Sequence, residues 1–169
     1  MQRRHALGLL AAPALLQACG VNLVQTLPTL AAASKAIEAL ASGWRSNGTW
    51  NLAQTLNHAA QSVEFSLRGF PELKSAFFRA TAGRVAFAVF DSRGAMHHSL
   101  DEPIPGAPVL SATDALDAAI ARALKALQDF EAHAGTLAPH FAYGALDKPQ
   151  YTRAHLMHLA NHWTQVVRT

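Results

Sequence analysis

Two histidines near the end of the chain, His158 and His162, have the spacing of paired metal ligands. The stretch 151–169 contains no Gly or Pro and consists mostly of helix-compatible residues, so the sequence predicts a helix there. Residues four apart on a helix lie about 5–6 Å apart at Cβ, so the two imidazoles can reach one cation. At about 100° per residue, both histidines border the apolar stripe that contains Leu159 and Trp163.

A pair on one helix turn needs a third donor from elsewhere in the chain, and His58 is the candidate. It lies in a second predicted helix, which has Thr49 or Asn51 as its N-cap and ends near Arg68, before Gly69. The buried stripe of that helix is predicted to be Leu52, Leu56, Ala59, Val63 and Leu67, and His58 points away from most of it, among small polar residues. On the helix pattern alone, His58 is either a ligand or an ordinary surface histidine.

The elements that would position these histidines are helices. The spacing of apolar residues predicts a first helix over 28–42, a third over 71–90 that is interrupted near Gly83, and a fourth that begins at 111–114 and ends near Gly135. Alternation at 85–89 also fits a strand, but no partner strand is evident, so a helix is favoured. The prediction is an all-α protein, an antiparallel four-helix bundle whose long crossover loop, 91–108, carries His97 and His98 as solvated side chains.

Composition restricts the function classes. The chain of 169 residues is 50% apolar and 15% charged, which indicates one folded domain with a substantial core. Without Arg3 and Arg4, which lie in the N-terminal segment discussed next, 12 of the 14 Lys and Arg residues remain against 11 Asp and Glu residues. No basic stripe with interleaved aromatics is present, so we expect no nucleic-acid partner.

The N-terminus resembles an export signal. A twin-arginine pair precedes an apolar run over 6–16 and small residues near Ala18, and the stretch 16–19 is similar to a bacterial lipobox. Cys19 is the only cysteine, so it has no internal disulfide partner, and lipidation would explain it. We therefore expect residues 1–18 to be the signal and 19–169 to be one domain, lipid-anchored on the periplasmic side of a bacterial membrane. The alternative to export is a frayed N-terminal helix on a cytosolic protein. The alternative to lipidation is that Cys19 merely follows a cleavage site.

Three segments carry a family resemblance. They read WNLAQTLNHAAQSVEFSLRGFP (50–71), PHFAYGAL (139–146) and HLMHLANHW (155–163). In this order they resemble the DinB/YfiT-like superfamily of metal-binding four-helix bundles, and most of all the branch called domain of unknown function 1569. The resemblance covers about 30–167, and it implies that His58, His158 and His162 hold a divalent metal. This branch often has two adjacent histidines where this chain has Asn161 and His162.

Further residues are assigned to the surroundings of this site. The resemblance also implies a role near the metal for Gln165, three residues after His162. His155, one turn before His158, could be a fourth ligand or a mere neighbour, and we interpret it as a residue that supports the ligands. Tyr143 and His140 either line the mouth of the site or anchor their loop.

Three imidazoles without a thiolate or carboxylate describe an open site that polarises substrate or water. Zinc, nickel, iron and manganese all fit imidazole ligation. Affinity is expected to fall as the pH drops through about 6.5, where protons compete for the ring nitrogens. The superfamily includes thiol transferases, so the sequence suggests a metal-dependent transferase or hydrolase acting on a small-molecule substrate. A non-catalytic metal-binding protein and a structural envelope lipoprotein are the alternative functions. The sequence allows a homodimer as well as a monomer.

Overall fold

The computed structural model describes residues 27–169, which are mostly helical and include one small sheet. The predicted signal, 1–18, and Cys19 lie outside the described residues. In chain order the elements are α1 Leu30–Glu38, a 3₁₀ turn Ala39–Ala41, β1 Trp44–Ser46, α2 Leu52–Arg68, α3 Ala76–Ala80, α4 Ala82–Arg93, α5 Leu116–Ala132, α6 Lys148–Trp163 and β2 Val166–Arg168. No helix within 27–169 combines the length and hydrophobicity needed to cross a bilayer.

Local capping signals set the ends of α2. The Asn51 side chain accepts a hydrogen bond from the backbone N–H of Gln54, and the Gln54 side chain accepts one from the backbone N–H of Asn51. This reciprocal capping box satisfies two backbone donors that a helix start leaves free. At the other end Gly69 has φ +104°, a conformation that side chains with Cβ disfavour. The predicted helix, with Asn51 rather than Thr49 as its cap, is confirmed.

The stretch predicted as a helix interrupted near Gly83 is helical and broken two residues earlier, at Thr81. Thr81 has φ −118° and ψ −95°, outside the helical region, and separates α3 from α4. Gly83 has a different role. Helix α4 passes against the loop that precedes α6, and a Cβ on Gly83 would lie 1.9 Å from the carbonyl oxygen of Ala142. The glycine therefore marks a close approach of two backbones.

The last helix is shorter than predicted, and this corrects the expectation of a helix up to residue 169 without a sheet. It begins at Lys148, after the N-cap Asp147, whose side chain accepts a hydrogen bond from the backbone N–H of Gln150, and it ends at Trp163. The chain then forms β2, which pairs antiparallel with β1, and the Arg168 guanidinium lies 4.1 Å from the Trp44 ring centroid. Pairing with a strand more than a hundred residues earlier is a non-local interaction that the helical pattern of 151–169 does not reveal.

The core lies between α1, α2, α5 and α6. Helix α2 packs on α5 and α6, and α1 packs on the same two helices. Fully buried side chains at the centre include Ile37, Leu56, Phe130 and Tyr151. The connection between α4 and α5, 94–115, contains no helix or strand, but it buries Met96 and Ile104 and so packs against the body of the protein. This packing brings the connection to the histidines of α2 and α6.

Candidate metal centre

Three histidine nitrogens from two helices converge at one point. The Nε2 atom of His158 lies 3.1 Å from the Nε2 atom of His58 and 3.1 Å from that of His162. One ligand nitrogen from each of the three rings lies within 4.8 Å of the other two. Three nitrogens held about 2.1 Å from one tetrahedral ion would lie about 3.4 Å apart, so the observed spacing fits a common ion.

These rings are held in the neutral form that metal ligation requires. Burial is the main cause in each case, and it lowers the pKa of His58 to about 4 and that of His162 to about 3. The pKa of His158 is held well below its usual range by burial and by the neighbouring histidines. Proton competition therefore begins far below pH 6.5, which corrects the expectation drawn from unperturbed histidines.

Hydrogen bonds alone do not explain the cluster. His158 Nε2 either carries one proton or presents one lone pair, so it cannot make two full hydrogen bonds of the same kind to His58 and His162. A cation would use the lone pairs of all three Nε2 atoms at once. The donor set of three neutral imidazoles thus fits a divalent ion that accepts nitrogen ligands.

Packing, rather than hydrogen bonding, orients two of the rings. The Nδ1 atoms of His58 and His162 are buried and have no hydrogen-bond partner among residues 27–169. Metal-bound histidines usually donate this N–H to a carboxylate or a carbonyl, so the usual supporting bond is missing at both. Instead the Trp50 ring lies against both, with centroids 4.9 Å from His58 and 6.2 Å from His162. Trp50 has no signal in the sequence that connects it with the site, because its position depends on the turn before α2.

His98 is exposed, as the sequence predicts, but it also lies next to the cluster, which the sequence did not show. Its ring centroid lies 5.0 Å from that of His158 and 5.4 Å from that of His162, although its outer side stays exposed. The ring donates from Nδ1 to the carbonyl oxygen of Ser99 at 2.6 Å. The Asn161 side-chain amide bonds the backbone at 96–98 in either orientation of the amide, and this ties the loop to α6.

A cavity of about 240 Å³ opens beside the cluster, and the rings of His58 and His158 form part of its wall. Most of the remaining wall comes from the 96–105 connection, the 140–143 loop and α6, and Ser62 and Lys74 complete it. Tyr143 lines it and stacks on His140, with centroids 4.2 Å apart and planes 8° apart. His140 both lines the cavity and bonds its own loop, because its Nδ1 accepts from the backbone N–H groups of Ala142 and Tyr143.

The residues expected to support the ligands lie in different places. His155 lines the cavity one turn before His158, and its Nε2 lies 3.2 Å from the Ser66 hydroxyl. The Gln165 side chain lies against Gly48 instead. Tyr143 has its hydroxyl 3.9 Å from the Met96 sulfur. The structure therefore brings His155 and Tyr143 to the cavity and leaves Gln165 beside the turn after β1.

Acidic residues do not join the three-histidine group within 27–169. Glu64, on the same helix as His58, makes ion pairs with Arg122 and Arg68, whose guanidinium groups hold the pKa of its carboxyl below the usual range despite partial burial. A carboxylate that is paired in this way is a poor general base. The site thus offers nitrogen ligands and neutral hydrogen-bonding groups.

Comparison with known proteins places the chain in a family. No curated protein and no solved structure shows significant similarity to it. One family profile matches residues 24–169, which include every residue of the histidine cluster and the cavity wall. The chain belongs to the family described as "Protein of unknown function (DUF1569)".

Proposed function

We propose that the protein binds one divalent metal ion through His58, His158 and His162 and uses it on a small molecule that enters the adjacent cavity. The observation that carries the proposal is the convergence of three imidazoles from helices α2 and α6, in which His158 Nε2 lies 3.1 Å from the Nε2 atoms of both other rings. When bound, such an ion acts as a Lewis acid toward a substrate oxygen, sulfur or water. The protein supplies three neutral ligands and leaves at least one coordination position toward the cavity.

The roles of the protein's own groups follow from their positions. Trp50 packs against two ligand rings and excludes water from one side of them. The 96–105 connection and the 140–143 loop close the cavity on the other side, so a substrate would be surrounded by protein while it reaches the ligands. Transfer of a group to a small substrate, or its hydrolysis, is the reaction class that this arrangement supports.

Among residues 27–169, the cluster consists of histidines alone, and this supports a second candidate function, metal binding without catalysis. A hydrolytic site usually includes a general base, and Glu64 is occupied by arginine pairs. Turnover by the metal-loaded protein on small esters, amides or thiol acceptors would decide between the two. A purely structural envelope lipoprotein, the third candidate, would bind no metal.

The architecture proposed for this function is the DinB-like four-helix bundle, made of α1, α2, α5 and α6. The mutual packing of these four helices supports it, as does the long crossover through α3 and α4.

We further propose that the protein is exported and anchored through a lipid on Cys19, on the periplasmic side of a bacterial membrane. Support comes from the twin-arginine pair, the apolar run and the single cysteine. Intact-mass measurement in the native host would contradict this if it showed an unmodified Met1.

Elemental analysis tests the metal directly. Protein purified without a histidine tag should contain close to one equivalent of zinc, nickel, iron or manganese, and the His158→Ala variant should contain almost none. His97→Ala is the matched control, because His97 is exposed and outside the cluster. Equal metal content in the parent protein and in His158→Ala would refute the three-histidine site.

A further inference from the structure

Two buried histidines that are not part of the metal cluster face the same cavity, each with one ring nitrogen unused. They are His140 and His155, 8% and 5% exposed. Both line the cavity, and both neighbour Tyr151, whose ring centroid lies 6.2 Å from that of His140 and 5.3 Å from that of His155. Buried polar groups in proteins nearly always have partners, so an unused nitrogen at a cavity wall indicates a missing one.

Hydrogen bonds fix the proton of His140 on Nε2. Its Nδ1 accepts from the backbone N–H groups of Ala142 at 3.1 Å and Tyr143 at 3.2 Å, so Nδ1 presents its lone pair and cannot carry a proton. The Nε2–H has no partner among residues 27–169, and it is not one of the fully buried unpaired atoms, as the Nδ1 atoms of His58 and His162 are. His140 itself lines the cavity. His140 therefore presents a hydrogen-bond donor to the cavity.

The tautomer of His155 is fixed in the opposite sense. The Ser66 hydroxyl donates to the carbonyl oxygen of Val63 at 2.6 Å, so its oxygen must accept from His155 Nε2, which lies 3.2 Å away. The proton of His155 is thus on Nε2, and the lone pair is on Nδ1. That Nδ1 has no partner in the described part of the chain, and it is not one of the fully buried unpaired atoms there. His155 therefore presents an acceptor.

Charge at the cavity excludes an ionic ligand at this depth. Burial keeps both rings neutral, with the pKa of each lowered to about 3. At the rim the exposed Lys74 and Glu102 have opposite charges and give the opening no net sign. In the metal-free protein, a carboxylate or an ammonium group beside His140 and His155 would lose its hydration without gaining a counter-charge.

From this arrangement we infer that His140 and His155 form a recognition site for an uncharged amide-type group, whose carbonyl accepts from His140 Nε2–H and whose N–H donates to His155 Nδ1. This inference deepens the proposed function, because it names the substrate class of the cavity that adjoins the metal ligands. The apolar part of the ligand would contact Met96, Ile104 and Phe141. A cavity of about 240 Å³ is below the usual range for drug-sized ligands, so the ligand is small.

Benzamide is the probe, with benzoate and toluene as its charged and apolar counterparts. Binding to the full-length chain is measured by ligand-observed NMR titration at pH 7.5, in the presence of a chelator and again with one equivalent of zinc. In the chelator arm benzamide should bind at least tenfold more tightly than benzoate and toluene, because only benzamide satisfies both nitrogens without a charge. Similar affinities for all three would overturn the inference and leave the cavity as a solvent-filled or merely apolar space.

Two conservative variants separate recognition from folding. In His140→Asn the amide oxygen can still accept from the 142–143 backbone, and in His155→Gln the amide N–H can still donate to Ser66, but neither variant reaches the cavity in the same way. Each should weaken benzamide binding about three- to tenfold and leave toluene binding unchanged. His97→Gln, at an exposed position, should change neither. Unchanged benzamide affinity in both folded variants would also overturn the inference.

Zinc titration of the same samples keeps the two proposals apart. If zinc fails to bind but benzamide is still preferred, the proposed metal function is wrong and the recognition site stands. If zinc binds and benzamide is not preferred, the recognition site is wrong and the metal centre stands. If either variant does not fold, the comparison of the three probes on the parent chain still decides.

Discussion

Acid should destabilise this protein through His140 and His155, between about pH 6.5 and pH 4. The pKa of each ring is lowered from 6.5 to about 3 in the folded protein because burial disfavours the charged imidazolium. In this pH range the unfolded chain therefore binds more protons than the folded one, and the free energy of unfolding falls as the pH falls. A group with these two pKa values costs about 2 kcal/mol of stability between pH 7 and pH 5.

For the two rings together the loss is about 4 kcal/mol, a large part of the roughly 5 to 15 kcal/mol that stabilises a typical domain. The other titratable side chains that surround them act in the same direction or not at all in this range. The pKa values of His58, His158 and His162 are also lowered, while burial raises those of Tyr143 and Tyr151 to well above neutral. The buried histidines of the metal cluster therefore add to the loss of stability in acid.

Urea unfolding of the metal-free protein, followed by circular dichroism at pH 7, 6 and 5, measures this directly. His155→Gln has no titrating ring at that position, so its loss between pH 7 and pH 5 should be smaller than that of the parent by about 2 kcal/mol. His97→Gln, which alters an exposed histidine, is the control and should follow the parent. A parent stability that changes by less than 1 kcal/mol between pH 7 and pH 5 would refute the assignment of neutral buried rings.

Three further results are expected. Replacing His158 with Ala should weaken zinc binding by calorimetry at least a hundredfold, whereas His97→Ala should leave it unchanged, and equal affinities would contradict the site. Gly83→Ala should lower the free energy of unfolding by about 1–3 kcal/mol, because its Cβ would lie 1.9 Å from the Ala142 carbonyl oxygen; a neutral effect in urea unfolding would mean that the two backbones separate easily. Asp147→Ala should cost about 1 kcal/mol through loss of the cap at the start of α6, and an unchanged denaturation midpoint would show that the cap contributes little.

Local signals in the sequence were sufficient to predict where the helices that hold the ligands begin and where α2 ends. Asn51 and Gly69 mark the ends of α2 by hydrogen bonding and backbone conformation, and Asp147 starts α6 in the same way. Helical spacing then predicts that His158 and His162 lie on one face. The approach of His58 to that pair depends on the packing of α2 on α6, and here the expectation came from the resemblance, not from the helix pattern.

Non-local packing explains what the sequence did not show. The position of His98 depends on bonds between Asn161 and the loop backbone, and the loop itself has no periodic pattern to interpret. The tautomers of His140 and His155 depend on backbone groups and on Ser66, which no spacing rule connects to them. Residues 166–168 have a helix-compatible composition, but they pair with β1 as strand β2. The helix α6 therefore ends earlier than its composition predicts.

The two-stranded sheet has a practical consequence for how this protein should be handled. Strand β1 comes shortly before α2, which carries His58, and β2 follows α6, which carries His158 and His162, so the two strands join the ends of both ligand-bearing helices. The last residue, Thr169, still donates its N–H to the Gly43 carbonyl oxygen. An affinity tag fused directly after Thr169 would follow this pairing without a spacer, and a polyhistidine tag would in addition compete for the same ions. Tags are therefore best separated from Thr169 by a long flexible linker, or removed before any metal is measured.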